Sequence, residues 1–389
     1  MFKALSELTC GKLRIVYCGD YVPETVQAKV RQALGDQAIA LRGEWRWGDD
    51  DRNHMANCNV SLRYQPGLGR IIRQSGADVL IADGFFKWTL SAVWHRLLRS
   101  VPLVITYERT EHTERRAQAV RTWYRKRIVH VADAMACSGS LCRDYAAGLG
   151  MHPNRISTGH MTADIDRIAA EAQTLSTDVK RAMRLEWRTQ GLVLTCVGRL
   201  AEGKGVHECL SAWKAIQGDV CRNATLIFIG SGPLKRKLQQ RCHDENITGV
   251  RFTGHIPSEQ IARYYAMADV LVMPTLEDNW SLVVPEAMAT GLPILCSIYN
   301  GCWPELVHED VNGWVFDPTD KAGFAHALTR CINAADRYPG MGKKSKCLVQ
   351  NYSPRRAAES ILQASQMAIE HRNVSKNQLL PKKITSCIF

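Results

Sequence analysis

Apolar strand-like runs alternate with helix-like runs along most of this chain, and no other feature constrains its fold as much. In the first half, LRIVYCG (13–19) precedes a helical pattern from Glu24 to Leu34, and AIALRG (38–43) is a second strand run. SLRYQPGLGRIIRQSG (61–76) leads into DVLIADG (78–84), a strand ending in Asp-Gly. LSAVWHRLLRS (90–100) has amphipathic helix spacing, and PLVITYE (102–108) is again a strand. A basic helix follows over 113–131, and AMACSGSLCRDYAAGLG (134–150) gives strand, turn and helix. Strands separated by helices cannot close tight hairpins, so they pair in parallel and carry helices on both faces.

The second half repeats the arrangement with more informative loops. LVLTCVG (192–198) empties into a Gly-rich loop holding two cations, Arg199 and Lys204, and HECLSAWKAI (207–216) continues as a helix. Two cations beside helix-end N–H groups suit a diphosphate. LIFIGSGPLKRKL (226–238) is another strand, Gly loop and helix. In LEDNWSLVVPEAMATGLP (276–293) two carboxylates, Asp278 and Glu286, flank a short apolar run. Glu286 opens a helix-like segment to Ala289 that stops at Gly291, so it faces the positive end of a helix dipole and its free N–H groups. Such a place suits a polar or anionic ligand. The strand pattern lapses near ADIDRIAAEAQTLSTD (163–178), which divides the 389 residues into two units.

The order and spacing of these segments resemble retaining glycosyltransferases of the GT-B fold (the group 1, family 4 type). Their acidic signature has two Glu separated by seven residues, then Ala-Met-Ala-x-Gly-x-Pro; here Asp278 and Glu286 have that spacing and AMATGLP follows. The first carboxylate is Asp, and Glu277 stands one residue earlier as the other candidate. VGRLAEGKGV (197–206) is similar to the family's Gly-Arg-Leu-x-x-x-Lys-Gly loop. VRFTGHIPSEQIARYYAMADVLVMPT (250–275) matches its Gly-x-Ile-Pro turn, and YNGCWPELVHEDVNGWVFDP (299–318) its Glu-Leu-Val…Asn-Gly segment, with Cys302 where a second Gly usually lies. The resemblance is good from about 190 to 320.

The resemblance implies an α/β chain of two doubly wound, Rossmann-like domains facing a central cleft. The expected parts are 1–168 for the acceptor, 180–352 for a nucleotide-sugar, a helix over 353–372 crossing back to the first domain, and a basic, mobile tail over 373–389. The implied reaction moves a hexose-type sugar, with retention, from a nucleoside-diphosphate donor to a glycan, lipid-linked or surface-polysaccharide acceptor. Arg199 and Lys204 would hold the diphosphate and Glu286 the ribose hydroxyls. Asp278, with the N–H groups of Asn279, Trp280, Ser281 and Leu282, would hold the transferred sugar. Ile256 in the Gly-x-Ile-Pro turn and Gly19 after the first strand would line the donor. Where the family carries a His after the fourth strand this chain has Glu108, with His112 four residues on; both are candidates at the reacting centre. Local chemistry offers an alternative, a surface helix start capped by Thr110 or Thr113 with Glu111 and Glu114 near its dipole. No metal and no cofactor beyond the co-substrate is implied.

Composition narrows the partners. Hydrophobic content of 46% and charged content of 23% are ordinary for a globular protein. A net charge of +12 favours nucleotide phosphates, nucleic acid or an anionic membrane, or serves solubility alone. A nucleic-acid binder would leave the acidic signature unexplained, and no binding module is recognisable, so no nucleic-acid partner is expected. Seven Lys or Arg between Arg109 and Arg127, with Trp123 and Tyr124 among them, suit an anionic membrane surface or a solvated helix face. WRWGDDDR (45–52) could stack a sugar ring or be an ordinary exposed loop. No apolar run approaches ~18 residues, and 14 Cys without a CxxC pair read as reduced thiols, so a cytoplasmic protein, peripheral at most, is expected. Competing classes are a nucleotide-sugar epimerase of GT-B architecture and, more weakly, a nicotinamide oxidoreductase, since GSGPLK lacks the third Gly of the dinucleotide fingerprint.

Overall fold

The computed structural model describes residues 1–47, 62–86, 88–218, 223–373 and 384–387, in two compact units. One is Met1–Met161 with Pro354–Phe389, the other Thr162–Ser353. The first boundary thus falls at 161/162 rather than near 168.

The first unit runs α1 (Phe2–Leu8), β1 (Leu13–Cys18), α2 (Glu24–Leu34) and β2 (Ala38–Leu41), then an antiparallel pair, β3 (Trp45–Trp47) and β4 (Leu62–Tyr64). α3 (Leu68–Ser75), β5 (Val79–Asp83), α4 (Thr89–Arg99) and β6 (Leu103–Tyr107) follow. Next come α5 (Glu111–Glu114), α6 (Ala119–Val131), β7 (Ala134–Cys137), α7 (Ser140–Gly148) and β8 (Ile156–Thr158). Successive strand residues point to opposite faces, and both faces are covered. Leu80, Ala82, Ile105 and Met135 pack with Leu68, Val93 and Ile128 of the helices on one side. Ile81, Val104, Ala134 and Ala136 face the other. The single basic helix expected over 113–131 is two. Thr110 caps α5 in a capping box with Thr113, the chain breaks over 115–118, and α6 restarts at Ala119.

The second unit contains α8 (Ile165–Gln173), α9 (Thr177–Glu186), β9 (Leu192–Val197), α10 (Val206–Ala215), β10 (Ala224–Ile229), α11 (Lys235–Asp244), β11 (Val250–Gly254) and α12 (Ile261–Met267). It continues with β12 (Val270–Met273), α13 (Val283–Thr290), β13 (Ile294–Ser297), α14 (Trp303–Leu306), β14 (Gly313–Phe316), α15 (Lys321–Asn333) and α16 (Tyr338–Val349). Its parallel sheet has the order β11-β10-β9-β12-β13-β14. That is the doubly wound order in which the winding reverses between the first and fourth strands, here β9 and β12.

The chain then returns to the first unit. α17 (Pro354–Asn373) lays Ala358, Ile361, Ala364 and Ala368 on the second face of that sheet. The tail segment expected to be mobile differs in part: β15 (Ile384–Cys387) pairs in parallel with both β1 and β5, giving the order β2-β1-β15-β5-β6-β7-β8. Asp133, wholly buried, is the polar fastening on this side. Its carboxylate accepts from Arg96 at 2.8 Å and the Leu103 N–H at 2.9 Å, and pairs with Arg372 of α17 at 3.5 Å. Asp133→Ala leaves two guanidiniums and a buried N–H uncompensated and should cost about 3 kcal/mol or more of stability. Exposed Asp144→Ala should stay within about 0.5 kcal/mol. Denaturant unfolding of the two variants checks the difference.

Candidate active site

Ligands of doubly wound sheets sit beyond the carboxyl ends of the strands, where the winding reverses. Around β9 and β12 that place is built by two loops, 198–205 after β9 and 274–282 after β12. They approach backbone to backbone. A Cβ on Gly205, whose φ is +63°, would lie 1.8 Å from the Pro274 carbonyl oxygen. A Cβ on Gly230 would lie 2.0 Å from the Gly198 carbonyl oxygen. These glycines let the loop carrying the cations lie flat on its neighbours. Beside it opens a pocket of about 600 Å³ lined by Gly198, Arg199, Ser231, Gly232, His255 and Ile256, among others. Arg199 is exposed at its edge.

The two loops are joined by charge. Lys204 Nζ donates to Asp278 Oδ2 at 2.6 Å. Asp278, buried, thus sets its carboxylate on Lys204, while Glu277, half-buried, meets the same loop through its N–H to the Gly203 carbonyl at 3.1 Å. Asn279, Trp280 and Ser281 are buried after it, and Leu282 is exposed. The Ser281 N–H points to Asn300 Oδ1 at 3.4 Å, so one of the four amides expected to face a ligand already has an internal acceptor. Glu286 lies in the first turn of α13, which starts at Val283, three residues before the expected point. Its Oε2 accepts from Tyr265 O–H at 2.8 Å. Burial pushes the Glu286 carboxyl above its ordinary value, against the Tyr265 hydrogen bond that favours the carboxylate. Tyr265 was invisible in the sequence, because in IARYYAMADV it occupies an ordinary apolar helix position.

In the first unit, Glu108 follows β6 and lines a second pocket, of about 150 Å³, with Asp83, Tyr107, Arg109, Arg121 and Arg125. His112 sits on α5, outside that lining, and its carbonyl accepts from Arg115 Nη1 at 2.5 Å. The capped helix start is present, but Glu114 is not a surface charge. It is buried and paired with Arg125 at 2.6 Å and Arg109 at 3.0 Å. Two of the basic residues read as a surface run, Arg121 and Arg125, are buried as well. The sequence did carry a signal for this. Positions 121, 125, 128 and 129 form one helical stripe, and Ile128 and Val129 mark it as the inner face. Gly19 ends β1 in a turn whose next residue, Asp20, accepts from the Gly43 N–H at 2.7 Å. In 45–52, Trp45 and Trp47 are exposed on β3; 48–52 lie outside the described residues.

The chain is thus doubly wound α/β, with a cationic, Gly-rich loop and a buried acidic segment at the switch point of its second unit. Residues 191–334 match the family described as Glycosyl transferases group 1, and residues 45–167 match Glycosyltransferase Family 4. Sulfoquinovosyl transferase of Arabidopsis thaliana is 31% identical over 170 residues, 42% of this chain and 31% of that protein. D-inositol 3-phosphate glycosyltransferase of Corynebacterium urealyticum is 24% identical over 292 residues, 72% of this chain and 68% of that one. The chain thus spans under a third of the first relative's length and about two thirds of the second's. The solved structure of Anabaena HepE in complex with UDP and glucose shares the fold with TM-score 0.68 at 14% identity, covering 94% of both chains. Sucrose-phosphate synthase of Thermosynechococcus elongatus does so with TM-score 0.64 at 18% identity, covering 93% of this chain and 98% of that one. The chain belongs to the GT-B glycosyltransferases of the group 1 and family 4 type.

Glu286 gives a pH test with a definite sign. A carboxyl whose folded value is raised binds its proton more tightly folded than unfolded, so its contribution is full below about pH 4.5 and is lost as pH rises through the raised value. The stability of the wild type relative to Glu286→Gln should therefore fall as pH rises above about 4.5, in denaturant unfolding at a series of pH values. A flat difference would mean that burial does not raise this carboxyl.

Proposed function

We propose that the protein is a retaining glycosyltransferase that moves a hexose-type sugar from a nucleoside-diphosphate donor to a glycan, lipid-linked or surface-polysaccharide acceptor. The Lys204–Asp278 contact of 2.6 Å supports this reading, because it joins the cationic loop, whose Gly198 and Arg199 line the pocket of about 600 Å³, to the carboxylate that would take the sugar. Cleaving a sugar–phosphate bond leaves negative charge on the nucleoside diphosphate and positive character on the sugar. Arg199 and Lys204 would stabilise the first, preorganised where the charge develops. Asp278, with the amides after it, would orient the sugar hydroxyls, and Glu286 the ribose. HepE was solved with UDP and glucose, and relatives named as GDP-mannose-dependent also match, which supports a nucleoside-diphosphate sugar without choosing its base.

A peripheral position at an anionic membrane is part of the proposal. No helix among the described residues is long and apolar enough to cross a membrane. α4, however, exposes Leu90, Trp94, Leu97 and Leu98 along one stripe, and α6, packed against it, exposes Val120 and Trp123. Exposed Arg99, Lys126 and Arg127 flank them, and neither helix contains an Asp or Glu. Apolar and aromatic side chains rimmed by cations suit an anionic interface.

Thermal unfolding with UDP, GDP, ADP, dTDP, CMP and NAD, without added metal, tests the donor assignment. One nucleoside diphosphate should raise the melting temperature, and Arg199→Ala and Lys204→Ala should each weaken it by about tenfold or more. A rise with NAD alone, or full affinity in either variant, contradicts the assignment. For the membrane part, vesicles containing phosphatidylglycerol should sediment the protein at low salt and Trp94→Ala/Trp123→Ala should abolish it. Equal behaviour with neutral vesicles, or no binding, removes that part.

A further inference from the structure

The pocket of about 150 Å³ beside β6 contains a charge arrangement that the donor site does not use. Glu114 is held between two guanidiniums, Arg125 Nη1 at 2.6 Å and Arg109 Nη1 at 3.0 Å. Arg125 Nη1 also donates to Tyr145 O–H at 3.3 Å. That leaves Arg121. It is 9% exposed, its Nε has no hydrogen-bond partner, and its guanidinium lies 4.8 Å over the Phe86 ring. Burial, and then the neighbouring charge of Arg125, push its proton affinity down, opposed by Glu114. A buried guanidinium without a carboxylate of its own is costly to keep, and the cost is removed when an anion arrives. Tyr107, on the same lining, has a buried hydroxyl without a partner as well. The lining also carries Asp83 and Glu108. Asp83 takes the Thr106 hydroxyl at 3.1 Å on one oxygen. Carboxylates repel an anion but accept sugar hydroxyls, so the wall chemistry is that of a polyol with one negative group rather than of a bare anion.

We propose that this pocket is an anion-recognition subsite for the acceptor, in which Arg121, seconded by Arg109, takes a phosphate or carboxylate borne by the acceptor sugar while Asp83 and Glu108 accept its hydroxyls. The inference rests on the transferase reading above and narrows its acceptor to a charged one. Glu114 and Arg125 are positioning residues: their paired charges lie near Arg121 and act on it through space. A planar guanidinium grips a phosphate or carboxylate through two parallel N–H bonds, which makes Arg121 a specificity determinant and not only a charge.

Titration calorimetry tests this with the full chain, saturated with whichever nucleoside diphosphate stabilises it. The probes are a neutral methyl hexoside, a hexose phosphate, a methyl hexuronoside and a lipid-diphosphate-linked hexose in detergent micelles. At least one anionic probe should bind the wild type about 30-fold or more tighter than the neutral one, and Arg121→Gln should erase that preference. Which anionic probe binds identifies the source of the charge: phosphate ester, uronate or lipid diphosphate. Arg121→Lys should retain part of it. The nucleoside-diphosphate response of Arg121→Gln should be unchanged, which reports a folded variant and separates this subsite from the donor site. Equal affinity for neutral and anionic probes, no binding of any probe, an unaltered preference in Arg121→Gln, or a loss of nucleoside-diphosphate affinity there would each overturn the proposal. If the donor response is absent in the wild type, the transferase reading itself fails, a distinguishable result.

Discussion

The contact between Lys204 and Asp278 is the interaction on which the proposed donor site depends. It joins the loop after β9 to the loop after β12, the two connections that leave the sheet where its winding reverses. Three other features serve that contact. Gly205 lets the first loop lie against the Pro274 carbonyl, where any Cβ would clash. Thr275 Oγ1 donates to the Gly203 carbonyl at 3.0 Å, and the N–H groups of Leu276 and Glu277 reach the same oxygen at 3.0 and 3.1 Å. The ammonium is thus held in place before any ligand arrives. On the proposed reading, a diphosphate entering here would meet a cation already placed by folding, which is the condition for strong electrostatic stabilisation.

The two units spend buried charge differently. In the second, a lysine and an aspartate are paired across two loops, the first of which also lines the larger pocket through Gly198 and Arg199. In the first, Glu114 is divided between Arg109 and Arg125, and Arg121 is left with an aromatic face and no carboxylate. Asp133 shows what a purely structural buried charge looks like in the same unit: its oxygens are met by Arg96 and the Leu103 amide. The contrast between Asp133, saturated, and Arg121, unsaturated, separates a fastening from a binding group on physical grounds.

Much of the fold was legible in the sequence, because its signals are local. Alternating strand and helix periods, and glycines where loops must touch, are set by residues a few positions apart. The Gly-rich loop after β9 was legible for the same reason, and so was the acidic segment, in which Asp278 and Glu286 bracket one loop and one helix turn. What the sequence did not disclose depends on contacts far along the chain. Tyr265 meets Glu286 from another helix, and Lys204 meets Asp278 from another loop. The break between α5 and α6 follows from Thr110 capping and from Glu114 turning inward to two arginines, so a run that reads as one basic helix becomes a short turn and a helix with two buried cations. The strand Ile384–Cys387 is short and sits in a polar, basic tail, and only its pairing with β1 and β5 defines it.

Hydrogen–deuterium exchange with and without the stabilising nucleoside diphosphate, in the absence of added metal, tests the central claim most directly. If loops 198–205 and 274–282 form one donor site, both should gain protection together, and Lys204→Ala should remove the protection from both. Protection of one loop without the other, or of neither under saturating ligand, would contradict the account.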